Sequence, residues 1–135
     1  MDHNTMMFLA CILAGLGSTM NTWVDKWDDV HFSLNDFYMI GLMTGLMFFF
    51  MGAFSLHFGR VVFGLVTAIL FFALIRTQAF VNEIQYLRGM IPHHSMAVMM
   101  SKHAEKQPNN IAHLLDQIIQ NQQKEIVIMK SYITF

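Results

Sequence analysis

At 135 residues the chain has room for one domain or a small membrane protein. Hydrophobic residues make up 55% of it and charged residues 13%, about half the charged share of a typical soluble domain. A net charge of −1 leaves no basic footprint for nucleic acid, and the single cysteine, Cys11, excludes an intramolecular disulfide.

Ahead of Arg60 the only Lys or Arg is Lys26, and most of the others follow the last apolar run. The N-terminal part therefore reads as the membrane part. Its first apolar run, "MMFLACILAGLGSTMNTWV" at 6–24, is barely long enough to span, with Trp23 and Trp27 as interface anchors. Cys11 within it reads as a packed small residue. A cleaved signal peptide is the competing reading. Because "MDHNT" carries no Lys or Arg and no Ala-x-Ala site follows, a retained helix is preferred. The next stretch, "DKWDDVHFSLND", is an acidic linker in which Ser33 and Asp36 resemble a helix-capping box.

"FYMIGLMTGLMFFFMGAFSLHF", 37–58, is the clearest span. Gly41 and Gly45 make a G-x-x-x-G pair, a weak signal for close helix approach. Met39, Met43, Met47 and Met51 form a thioether stripe, read as flexible apolar packing with a copper-conducting path as the alternative. After the polar break "HFGR", the apolar run 61–75 reaches Arg76 and no Gly or Pro follows until Gly89, so one helix is expected over 60–88. Its span covers about 60–80, and from Arg76 it climbs through the interface into water. The expected domains are a transmembrane region, 1–75, and a soluble helical hairpin, 76–135.

Pro92 suits the first turn of a hairpin helix that ends near Gln107, where Pro108 and "NN" break it. Asn109 or Asn110 is expected to cap the last helix, which runs to about Tyr132. The fold class is all-α: three transmembrane helices, the third extended beyond the membrane, then a soluble helical hairpin.

The chemistry-bearing stretch is "GMIPHHSMAVMMSKH", 89–103. At roughly 100° per residue, His93, Met96, Met100 and His103 share one helix face, with Met90 just before it and Ser95, Lys102 and Lys106 pointing away. The last helix carries an apolar stripe interrupted by Gln122 and edged by Glu125. An antiparallel hairpin brings these two, with Met129, alongside His93 and His94. Imidazole with thioether suits copper, Met favouring Cu(I). Zinc is less natural because the one Cys lies in the membrane, and a di-iron site lacks its Glu-x-x-His pairs. The competing reading is a polar lock in which His93 and His94 bond Glu125 and Gln122 and set the hairpin register. An acid–base pair of His94 with Glu125 is a distant third. His113 reads as a surface residue, and His3, which forms an X-X-His terminus able to chelate Cu(II) if Met1 is retained, as a chance placement.

"MIPHHSMAVMMSKHA" followed by "LLDQIIQNQQKEIVIMKSYI" resembles the family called domain of unknown function 305. The matching residues are Met90, Ile91, Pro92, His93, His94, Gln122, Glu125, Ile126 and Met129; "RTQAFVNEIQYLRGM" resembles the approach helix of its membrane-anchored members. Secreted relatives are ferritin-like, some tied to copper tolerance, and many contain two related halves. This chain has one.

Residues and resemblance together are read as a membrane-anchored copper-binding protein, in sequestration or tolerance and not catalysis, whose hairpin is half of a ferritin-like bundle that a homodimer would complete, with lipid and metal as partners. Its metal set would be Met90, His93, His94, Met96, Met100, His103, Glu125 and Met129, supported by Gln122 and Arg76. The alternative is an assembly module with a purely structural network. Lys and Arg counts favour a cytoplasmic hairpin. The exported relatives imply the outer, periplasmic face of an inner or plasma membrane, and that placement is preferred.

Overall fold

The computed structural model describes residues 1–134. Five helices follow in order: α1 His3–Gly17, α2 Leu34–Phe54, α3 Phe58–Thr77, α4 Glu83–Glu105 and α5 Ala112–Ile133. Two single 3₁₀ turns, Met20–Trp23 and Trp27–Asp29, lie between α1 and α2. Three segments, His3–Trp23, Leu34–Phe54 and Phe58–Thr77, are long and apolar enough to cross a membrane. Their outward side chains, such as Phe50, Val66, Ile69 and Phe72, are at least half exposed, which suits lipid and not water. The chain is an all-α integral membrane protein ending in a helical hairpin, as its sequence indicates.

The chain divides into two compact units. The first contains residues 1–19 and 34–81, hence α1, α2 and α3. Asp2 starts α1 by accepting from the Thr5 amide at 2.9 Å. Cys11 and Gly15 are its buried positions, and α1 packs on α2. The glycine pattern of α2 is spent inside the chain. A Cβ on Gly45 would lie 2.5 Å from the Ala68 amide nitrogen and 3.0 Å from the Gly64 carbonyl oxygen, so these two backbones touch. Three of the four stripe methionines (Met39, Met47 and Met51) face outward.

The long third helix expected from sequence is two helices. α3 stops at Thr77, where Gln78 turns left-handed (φ 50°) and its side-chain amide donates to the Ile75 carbonyl at 2.8 Å. Phe80 is also left-handed, and Asn82 then caps α4 by accepting from the Gln85 amide at 2.9 Å. Polar side chains here do the terminating work that glycine and proline do elsewhere. Pro92 consequently lies in the interior of α4 and not in its first turn. It gives up one hydrogen bond to the Arg88 carbonyl. At α5, neither Asn109 nor Asn110 is the cap: Ile111 takes that position, and the Asn109 side chain accepts from its amide at 3.1 Å.

The second unit joins residues 20–33 to the chain from Asn82 onward. α4 and α5 pack around Ile91, Val98, Ile126 and Met129, with Leu87, Met90, Ile119 and Ile133 alongside. The acidic stretch between the first two spans is a third layer on this hairpin. Ser95 accepts from the Asp25 amide at 2.8 Å and donates to Asp29 at 2.6 Å. Lys102 pairs with Asp25 at 2.6 Å, and Lys130 pairs with Asp28 and Asp29 at 2.7 and 2.5 Å. Arg88 donates to the Phe32 carbonyl. The linker and the hairpin thus pack as one unit.

Candidate functional site

The inward face of α4 is Ile91, His94, Ser95, Val98 and Ser101, all buried at helical spacing. Ser95, expected to point away, is fully buried, and Lys102 beside it reaches the linker. The Met/His stripe therefore takes the opposite face. His93 and His103 are exposed, Met100 is 50% exposed and Met96 is half-buried. The difference has a physical origin: Ser95 looks like a surface residue, but its hydroxyl meets Asp25 and Asp29 of the linker.

The two adjacent histidines separate accordingly. His94 is buried, with Nδ1 at 2.9 Å from the Met90 carbonyl and Nε2 at 2.7 Å from Glu125 Oε2. A carbonyl oxygen only accepts, so Nδ1 carries a proton there. The Glu125 contact then needs one more proton, on Nε2 or on the carboxyl. Neither ring nitrogen has a lone pair free while both bonds hold. His93 turns outward and touches the His94 ring edge-on, centroids 5.9 Å apart.

The hairpin expected to bring His93, His94, Gln122, Glu125 and Met129 into one neighbourhood joins His94 to Glu125. Met129 and Met90 belong to the apolar cluster. Gln122 is half-buried, and Arg76 is an exposed residue in the last turn of α3, in the other unit. Among the described residues, no three His, Cys, Asp or Glu side chains converge as metal ligands.

The outward stripe has different chemistry. His103 Nδ1 lies 2.9 Å from the Met99 carbonyl one turn back, so that nitrogen donates and Nε2 keeps its lone pair for an outside partner. A backbone carbonyl fixing the far nitrogen is the usual support behind a ligating imidazole. His93 with Met96, and Met100 with His103, are i, i+3 neighbours. Each is an imidazole–thioether pair on one turn of helix.

What sequence reasoning missed is the linker. Asp25, Asp28 and Asp29 read only as part of an acidic linker, yet Asp29 is 3% exposed. The available signal was the matching set of Ser95, Lys102 and Lys130 at positions that no membrane span explains.

Residues 72–133 match the family described as Domain of unknown function (DUF305). The chain is also 42% identical over 137 residues to "Uncharacterized protein L153" of Acanthamoeba polyphaga mimivirus. That similarity covers 93% of this chain and 88% of the relative. No solved structure matches.

Proposed function

The chain belongs to the DUF305 family, and from that premise we propose that it is a membrane-anchored copper-binding protein acting in sequestration or tolerance, without catalysis. The observation that carries the reading is the outward imidazole–thioether face of α4, with His103 held in the tautomer that leaves Nε2 available. Thioether and imidazole are donors for Cu(I). The binding residues are His93, Met96, Met100 and His103. His94 and Glu125 hold the hairpin that presents them, and Met90 and Met129 fill its core. Each helical turn offers two donors, and a second copy presenting the same face doubles the set, which supports a homodimer. We further assign the hairpin to the outer face of a plasma-type or inner membrane, on the resemblance to exported copper-associated relatives.

The test is a Cu(I) titration of the purified full chain under reducing conditions. Cu(I) is expected to raise the thermal midpoint, and His93→Ala with His103→Ala, or Met96→Leu with Met100→Leu, removes the rise. A midpoint that stays flat across the titration overturns the reading. One observation favours a second reading, a membrane-anchored assembly module: His94, central to the Pro-His-His motif, spends both ring nitrogens inside the hairpin. That module stays unchanged by copper.

A further inference from the structure

The membrane unit carries a feature independent of the hairpin. α1 packs on α2, and α2 packs on α3, but α1 and α3 hardly touch. The space between them is a groove floored by α2. At one end it is a cavity of about 490 Å³ walled by Phe8, Phe48 and Phe63, with Arg60, His57 and Asn4 at its mouth. A second, almost wholly apolar cavity of about 260 Å³ continues from the shared Phe8 toward Phe71. From Arg60 to Phe71 is eleven residues of helix, about 16 Å at 1.5 Å per residue.

Arg60 is the one Arg or Lys between Lys26 and Arg76. Its Nε donates to Asn4 at 2.9 Å, and its two terminal amino groups have no partner among the described residues. The neighbouring turn fixes its depth. Phe54, Leu56 and Phe58 are 83%, 92% and 79% exposed, an arrangement suited to lipid and not to water. A guanidinium with open donors at that level is costly unless an anion accepts from it. It also sits in the first turn of α3, whose unpaired amides and dipole favour negative charge.

We propose that this groove is a binding site for an anionic phospholipid, the phosphate on Arg60 beside His57 and one acyl chain lying along the aromatic trench. The guanidinium matches a phosphate's paired oxygens, and the trench supplies what a free phosphate would not use. Charge complementarity at the mouth selects an anionic headgroup over a zwitterionic one, whose own ammonium the site repels.

The experiment is native mass spectrometry of the delipidated full chain with equimolar phosphatidylglycerol and phosphatidylcholine. Phosphatidylglycerol should be retained roughly tenfold better, the value of one charge-assisted contact. Arg60→Gln brings the two lipids to parity, while Arg76→Gln, at the other end of α3, keeps the preference. Thr67→Trp, which fills the trench and leaves Arg60 intact, lowers retention of both lipids and keeps the proposal testable should Arg60→Gln fail to fold. Equal retention by the unaltered chain overturns the proposal. So does displacement of phosphatidylglycerol by inorganic phosphate alone, which would mark a phosphate site without a lipid.

Discussion

Ser95 donates a 2.6 Å hydrogen bond to Asp29, 66 residues earlier in the chain, and both side chains are buried. The same hydroxyl accepts the Asp25 amide. One small residue in the middle of α4 thus ties down both ends of the acidic turn. Removing the hydroxyl leaves the part-buried Asp25 amide without its acceptor and weakens the support of the buried Asp29 carboxylate, which keeps its Lys130 ion pair. Ser95→Ala is expected to cost about 1–3 kcal/mol, measured as a lowered midpoint in thermal or denaturant unfolding. Ser55→Ala is the control: Ser55 bonds only carbonyls of its own helix end, and its loss should stay within about 0.5 kcal/mol.

The same clasp predicts a pH dependence. The Lys130 hydrogen bond and charge hold the Asp28 carboxyl below its ordinary value of 3.8. Burial pulls the Lys130 ammonium down, but the bonds and charges of Asp28 and Asp29 outweigh it, so it titrates above 10.5. A lowered carboxyl stabilises above its unfolded value and loses that contribution as pH falls through the folded one. A raised ammonium stabilises below its unfolded value and loses that contribution as pH rises through the folded one. Clasp stability is therefore flat near neutrality and declines at both extremes, below about 4 and above about 10.5. Lys130→Met should remove the alkaline decline and flatten part of the acid one, read from thermal midpoints across pH.

Close contact between α2 and α3 gives a third expectation. At Gly45 the atoms that a Cβ would meet are backbone, which cannot swing aside as a side chain can. Gly45→Val forces the helices apart and is expected to cost about 1–3 kcal/mol or more. Gly17→Ala, where nothing lies within 4 Å, should cost nothing measurable. Retention of a monodisperse folded species in detergent, followed by thermal unfolding, separates the two.

Residue types made some of this legible and hid the rest. Runs of 20 or so apolar residues announce membrane helices because lipid leaves the backbone no other choice. The His94–Glu125 contact was also readable, since a carboxylate on an otherwise apolar stripe asks for a partner on the facing helix. The turn at 78–82 was not, because its left-handed residues are Gln78 and Phe80, neither a usual breaker. Nor was the orientation of α4. Periodicity put Met96 and Met100 inward because methionine is apolar, whereas the interior took Ser95 to meet a linker 66 to 70 residues away in sequence. Tertiary partners chose the face, and helical spacing alone carries no record of them.

The split between His94 and the outward stripe gives the last prediction. His94→Ala removes both ring contacts and leaves Glu125 without its partner, so the hairpin should lose about 1–3 kcal/mol. Glu125 is half-exposed and can turn to water, which holds the effect toward the lower end of that range. Glu125→Gln keeps an acceptor oxygen in reach of Nε2 and should cost less than His94→Ala. His93→Ala and His103→Ala remove exposed rings, at the loss of one edge contact to His94, and should leave the unliganded midpoint within about 0.5 kcal/mol. With Cu(I) the pattern reverses: the His94 and Glu125 variants keep a copper-induced rise from their lowered starting points, and the His93/His103 variant loses it. Should His94→Ala abolish the rise while folded, with His93/His103 retaining it, the ligand face has been assigned to the wrong side of α4.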